Sequence, residues 1–167
     1  PESLFRVMRK MGLKAIGAKW KRDKDAITVT GTDIRKIPAG KILPCRESGS
    51  TLRFFIPICL VSGSNAVLSG SSRLMERPLG IYETICRERG MIFSRDEGTL
   101  MIKGPLKPGN FKLAGNVSSQ FISGLLFALP LLSKDSNLTI IPPIESRSYI
   151  DMTMAALLTF GVETCWK

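Results

Sequence analysis

The chain has 167 residues, enough for one domain with a sizeable core, and its 24 Lys and Arg against 14 Asp and Glu give a net charge of +10 that favours anionic partners. It has no histidine, so acid–base chemistry falls to carboxylate, lysine or tyrosine; its four cysteines, at 45, 59, 86 and 165, lack C-x-x-C spacing, which argues against a metal site and for a reducing, cytoplasmic compartment. The longest apolar run, 121–132, is too short for a membrane span, which needs about 20 residues, and the basic residues are scattered without aromatic interleaving, so a small phosphorylated ligand is favoured over nucleic acid.

In chain order, Leu4, Phe5, Val7, Met8 and Met11 recur on a helical period over 2–11, with Gly12 as the stop. The opening Pro1-Glu2-Ser3, with neither methionine nor signal peptide, reads as an excised piece. Residues 15–20 and 26–30 alternate as a hairpin across the charged turn 21–25, and 32–44 reads as a loop or irregular strand. Residues 46–53 then place glycine and hydroxyls ahead of an apolar helix at 54–60, with Arg53 in its first turns. A strand at 66–69, a basic hydroxyl-rich loop at 70–78 and a helix at about 79–89 follow; the helix is amphipathic through Ile81, Tyr82, Ile85 and Cys86. A second hairpin pairs 91–94 with 99–103.

After residue 109 the pattern starts over. A strand at 110–113 leads into a polar cluster, 115–120, that opens a helix apolar on every face, and a strand at 137–141 follows. Residues 144–151 open an amphipathic helix ending near 160–161, with Ser148 and Asp151 spaced as a capping box, and 162–166 begins a strand. Ser50 and Ser119 are 69 residues apart and Gly90 and Gly161 are 71 apart, each in the same local order. An internal repeat of about 70 residues is therefore the organising rule: the tail of one unit at 1–31, a unit at 40–104 and a truncated one at 109–167. The fold class is α+β.

The first turn of a helix has amides without intrahelical partners and carries partial positive charge, so two capped buried helices in equivalent places offer an anion-binding face. Arg73, Arg77 and Arg147 stand in the loops before the outer helices, where a guanidinium can clamp phosphate or carboxylate. Taken singly, these residues are also ordinary caps, turn glycines and surface arginines; the recurrence favours the anion-binding face.

Three stretches, Glu47-Ser48-Gly49-Ser50-Thr51-Leu52-Arg53-Phe54, Arg73-Leu74-Met75-Glu76-Arg77-Pro78 and Gly115-Asn116-Val117-Ser118-Ser119-Gln120-Phe121, resemble the 5-enolpyruvylshikimate-3-phosphate synthase family. A fourth, Glu145-Ser146-Arg147-Ser148-Tyr149-Ile150-Asp151, fits as well. The resemblance implies repeated βαβαββ units packed around buried parallel helices, two such lobes per enzyme, and a cleft site between them. This chain would be most of the N-terminal lobe, incomplete at both ends. It further implies that Ser118, Ser119 and Ser146 hold the phosphate of shikimate 3-phosphate, with Gln120 and Tyr149 beside the substrate ring. Gly49, Arg77 and Gln120 would meet phosphoenolpyruvate, with Arg53 and Arg73 in support. No cofactor or metal is implied. The family's N-terminal Lys-Ser segment and the other lobe's Asp, Lys and Arg are missing, so the resemblance implies a half-site, inactive without its partner lobe. Many members of the family have Asn-Ala-Gly or Asn-Ser-Gly followed by Thr where this chain has Glu47-Ser48-Gly49-Ser50, and some have Pro in place of Phe54, which lies behind Gly49 and bears on sensitivity to the inhibitor glyphosate. A basic RNA-binding module and an enolpyruvyl transferase with another acceptor stay open as alternatives.

Overall fold

The chain was analysed as a computed structural model that describes residues 15–24 and 26–167; the helical period at 2–11 lies outside them. Its first element is an antiparallel hairpin, β1 (Lys19–Asp23) with β2 (Ala26–Thr30). This corrects the sequence reading at both ends. Residues 15–17 form a turn, with Gly17 at φ 96°, and the charged residues expected in the turn, Lys21 to Asp23, are strand. Both strands are largely exposed, so the charged side chains of β1 sit there without a desolvation cost.

The next unit is complete. It runs β3 (Lys41–Arg46), α1 (Gly49–Val61), β4 (Asn65–Gly70), the short α2 (Ser72–Met75), α3 (Gly80–Glu88), β5 (Ile92–Asp96) and β6 (Thr99–Lys103). Its sheet has the order β3-β4-β6-β5, with β3 and β4 parallel and the other neighbours antiparallel. The stretch 32–44, read as a loop or irregular strand, holds a 3-10 turn, Ile34–Lys36, capped by the Asp33 carboxylate, and then the start of β3, whose register shifts after Pro44. Pro44 is compatible with that strand because β3 is the sheet edge and one side of its backbone has no ladder to serve. Leu43 and Cys45 alternate inward, as a half-buried strand requires.

The second unit repeats the first half of that order: β7 (Asn110–Ala114), α4 (Ser119–Ala128), β8 (Asn137–Ile141) and α5 (Arg147–Thr159), with β7 and β8 parallel. Two readings fail here. Residues 162–167 are not strand; Trp166 folds back onto α5, its Nε1 donating to Asp151 Oδ1 at 2.8 Å and its ring 4.6 Å from the Arg147 guanidinium carbon. There is also no capping box. Ser146 is the N-cap, in the left-handed region at φ 56°, and Asp151 is occupied by Arg147 at 3.7 Å and by Trp166.

Helices α1 and α4 run side by side and parallel through the centre, contacting each other more extensively than any other pair of elements. Leu52, Ile56 and Leu60 from α1 and Ile122 and Leu125 from α4 are essentially inaccessible to water. Each such side chain contributes about 1.5–3 kcal/mol of burial, which is why these helices form although neither has a polar face. Ser123 and Thr153 hydroxyls, 2.8 Å apart, tie α4 to α5. Among the described residues no helix is long and apolar enough to cross a membrane.

Candidate anion-binding site

Each long helix begins where a parallel strand ends. Arg46, at φ 54°, follows an irregularity in the β3–β4 register and turns the chain toward α1; its carbonyl accepts from Ser71 N at 3.0 Å, which ties the start of α2 to the start of α1. The second unit repeats the staple. Gly115 donates to the Ile141 carbonyl at 2.7 Å and accepts from Glu145 N at 2.9 Å, so the loops opening α4 and α5 lie together. A Cβ on Gly115 would stand 2.7 Å from the Pro143 carbonyl oxygen, so only glycine permits that approach. The helix starts are thus gathered at the carboxyl ends of parallel strands, where open α/β sheets bind ligands.

The two central starts are capped differently. Ser48 Oγ accepts from Thr51 N at 3.2 Å and from the Thr51 hydroxyl at 2.8 Å. Ser118 Oγ accepts from Gln120 N at 3.4 Å, a looser cap that leaves an exposed hydroxyl free to donate outward. Ser119, half-buried, is the first residue of α4.

Between the caps lies a bonded cluster. Arg53 Nη1 donates to Gln120 Oε1 at 2.8 Å, and Gln120 Nε2 donates to Ser50 Oγ at 2.9 Å, so α1 and α4 are joined across their first two turns. The Arg53 guanidinium carbon lies 5.0 Å from the centre of the Phe121 ring, and its Nε is buried with no hydrogen-bond partner. Arg77 covers Gly49 so closely that a Cβ there would stand 2.6 Å from Arg77 Nη1 and 3.3 Å from Arg53 Nη1. Burial, and secondarily the Arg77 charge, hold the Arg53 pKa below its ordinary value. Among the described residues neither arginine is in an ion pair. Two guanidinium groups beside a glycine and a helix N-terminus form a positive recess that an anion would neutralise.

Of the residues singled out in the sequence, the structure joins Gly49, Arg53, Arg77, Gln120 and Ser118 in this way. Ser119, Ser146, Tyr149 and Arg73 make no direct side-chain hydrogen bond to that cluster among the described residues. Ser146 is exposed and makes no capping bond, Tyr149 follows it in α5 with its ring exposed, and Arg73 is exposed on α2. Ser50 and Tyr82 were not anticipated. Ser50 stands 70 residues before Gln120, the repeat length, so the repeat itself could have paired them. A groove of about 560 Å³ between α3 and β7, lined by Ile81, Ile85, Arg89, Phe111 and Leu113 among others, shares none of these residues.

The family model of EPSP synthase (3-phosphoshikimate 1-carboxyvinyltransferase) matches residues 4–164. The chain belongs to the EPSP synthase family. It is 45% identical over 153 residues to the 3-phosphoshikimate 1-carboxyvinyltransferase of Clostridium perfringens (strain ATCC 13124), covering 90% of this chain and 36% of that relative. It is 46% identical over 123 residues to the protein of the same name from Brachyspira hyodysenteriae, covering 74% of this chain and 29% of the relative. Among solved structures it resembles EPSP synthase from Acinetobacter baumannii, with a TM-score of 0.72 at 20% identity over 93% of this chain and 36% of that one. Such EPSP synthase structures share the fold. The chain spans about a third of the length of these relatives.

Proposed function

We propose that this chain is one lobe, incomplete at both ends, of a cytoplasmic enolpyruvyl transferase, and that it supplies a substrate-binding half-site for shikimate 3-phosphate and phosphoenolpyruvate. Within it, 40–104 and 109–167 are successive units. The observation that carries the reading is the pair of guanidinium groups, Arg53 and Arg77, set beside Gly49, with Arg53 bonded through Gln120 to the start of α4. In the reaction the 5-hydroxyl oxygen of shikimate 3-phosphate bonds to the enol carbon of phosphoenolpyruvate while the methylene carbon takes a proton. Loss of that proton and of phosphate then restores the vinyl group on the new ether.

Both substrates carry a phosphate and a carboxylate, so positive charge must be supplied without a nearby protein carboxylate competing for it. Arg77 and the first-turn amide of Gly49 face phosphoenolpyruvate, and Arg53 reinforces the field. Ser118 and Ser119 donate hydroxyls and a helix N-terminus to the phosphate of shikimate 3-phosphate, with Ser146 meeting it from the start of α5. Gln120 spans both ligands, Tyr149 lies against the ring, and Arg73 adds charge at the rim. Proton transfer belongs to residues of the other lobe.

Calorimetric titration of the chain with shikimate 3-phosphate, and in parallel with shikimate, tests this. Binding that requires the phosphate and disappears in Ser118→Ala/Ser119→Ala is the expected result. A folded chain that ignores both ligands at millimolar concentration, yet binds RNA with steep salt dependence, refutes it in favour of a nucleic-acid module.

A further inference from the structure

Helix α1 carries Pro57 in its interior, buried, at a place where the next turn needs an amide. Proline has no N–H, so the carbonyl four residues earlier, that of Arg53, loses its helical donor and is left as a polar group in an apolar core. The Tyr82 hydroxyl, from α3, stands 2.8 Å from that oxygen and 3.1 Å from the Phe121 carbonyl of α4. A phenol has one proton to give. Phe121 lies in the first turn of a regular helix and has the amide of Leu125 as its own donor, so the proton goes to Arg53. Burial raises the Tyr82 pKa well above its ordinary value, which keeps the phenol protonated and donating.

The surroundings are built for this contact. The Tyr82 ring meets the Phe121 ring edge-on at 5.1 Å, and the Arg53 guanidinium lies over the same Phe121 ring. Gly124 makes room: a Cβ there would collide with the Tyr82 hydroxyl and stand 2.8 Å from the Arg53 oxygen. Arg53 is thus held at its backbone by Tyr82 and at its side chain by Gln120.

We propose that Tyr82 is a positioning residue for the anion site: by standing in for the missing Pro57 amide it fixes the turn that carries Arg53, and so the orientation of Gln120 between the two ligand subsites. The inference rests on the half-site reading for its ligands but not for its geometry. The test is nuclear magnetic resonance of the chain, reading the Gln120 side-chain amide signals and the Arg53 carbonyl shift, together with the affinity for shikimate 3-phosphate. Tyr82→Phe is expected to move the Gln120 signals to the position of a free glutamine amide and to weaken binding about tenfold, the scale of one hydrogen bond. Pro57→Ala in the Tyr82→Phe background returns an amide to the helix and is expected to restore both. Unchanged Gln120 signals in Tyr82→Phe with only a lower melting temperature, or a double variant as disturbed as Tyr82→Phe, would overturn the proposal. If the unaltered chain binds no shikimate 3-phosphate, the Gln120 signals alone decide the positioning role, and it is the half-site reading that fails.

Discussion

The starts of α1 and α4 occupy equivalent places in two units of one repeat, with N-caps Ser48 and Ser118 and with Ser50 and Gln120 in matching positions, yet they differ in what they present. The α1 start is closed by two bonds to Ser48 and surrounded by cations, Arg53 from its own second turn and Arg77 from beyond α2. The α4 start is loosely capped and lined with hydroxyls, and residues 115–121 carry no charge of their own. The backbone device is shared, and under the proposed half-site the side chains would divide it into a charged subsite and a neutral donor subsite.

The largest disturbance should come from Gly124→Ala, which wedges the two starts apart. Its methyl would meet the Arg53 carbonyl at 2.8 Å, backbone that cannot swing away, so thermal unfolding should show a loss of about 1–3 kcal/mol, with both subsites weakened. Gly49→Ala acts chiefly on the α1 start. Its methyl displaces the flexible end of Arg77, so the melting temperature should hold while phosphoenolpyruvate affinity, measured in a chimera joining this chain to the rest of the clostridial relative, drops about tenfold or more. Ser118→Ala removes the neutral donor and the α4 cap together; shikimate 3-phosphate should bind about tenfold more weakly and stability should fall by about 1 kcal/mol.

The effect of pH is confined to the residues that pack around α1. Burial raises the thiols of Cys45 and Cys59 to about 12 and that of Cys86 to about 11, from 9.0. A folded-state pKa above the unfolded value means that unfolding releases protons once the pH passes 9. The contribution of these thiols is complete below pH 9 and is lost as the pH rises toward 11–12, so denaturant midpoints should be flat up to pH 9 and decline beyond it. Exposed Cys165 should meanwhile react with a thiol reagent at once, ahead of the three buried cysteines.

Much of this was legible before any coordinates. The two buried helices and their hydroxyl-rich starts follow from periodicity and caps, because local sequence determines them. What the sequence withheld depends on tertiary context. Ser148 with Asp151 looked like a capping box until Arg147 and Trp166 claimed the carboxylate. Residues 162–166 alternate like a strand, but among the described residues they pair with none. Tyr82 read as one more apolar residue of an amphipathic helix. The clue to its role was Pro57, twenty-five residues away, whose missing amide calls for a donor from elsewhere.

The division between the two helix starts is tested most directly by a crossed titration. In the chimera, Gly49→Ala and Ser118→Ala/Ser119→Ala are each measured against phosphoenolpyruvate and against shikimate 3-phosphate. The predicted result is a crossed pattern, the first variant losing phosphoenolpyruvate and the second losing shikimate 3-phosphate, each by about tenfold or more with the other ligand changed less than about threefold. Equal losses of both ligands in both variants would contradict it, and would mean that the two starts act as one undivided anion site.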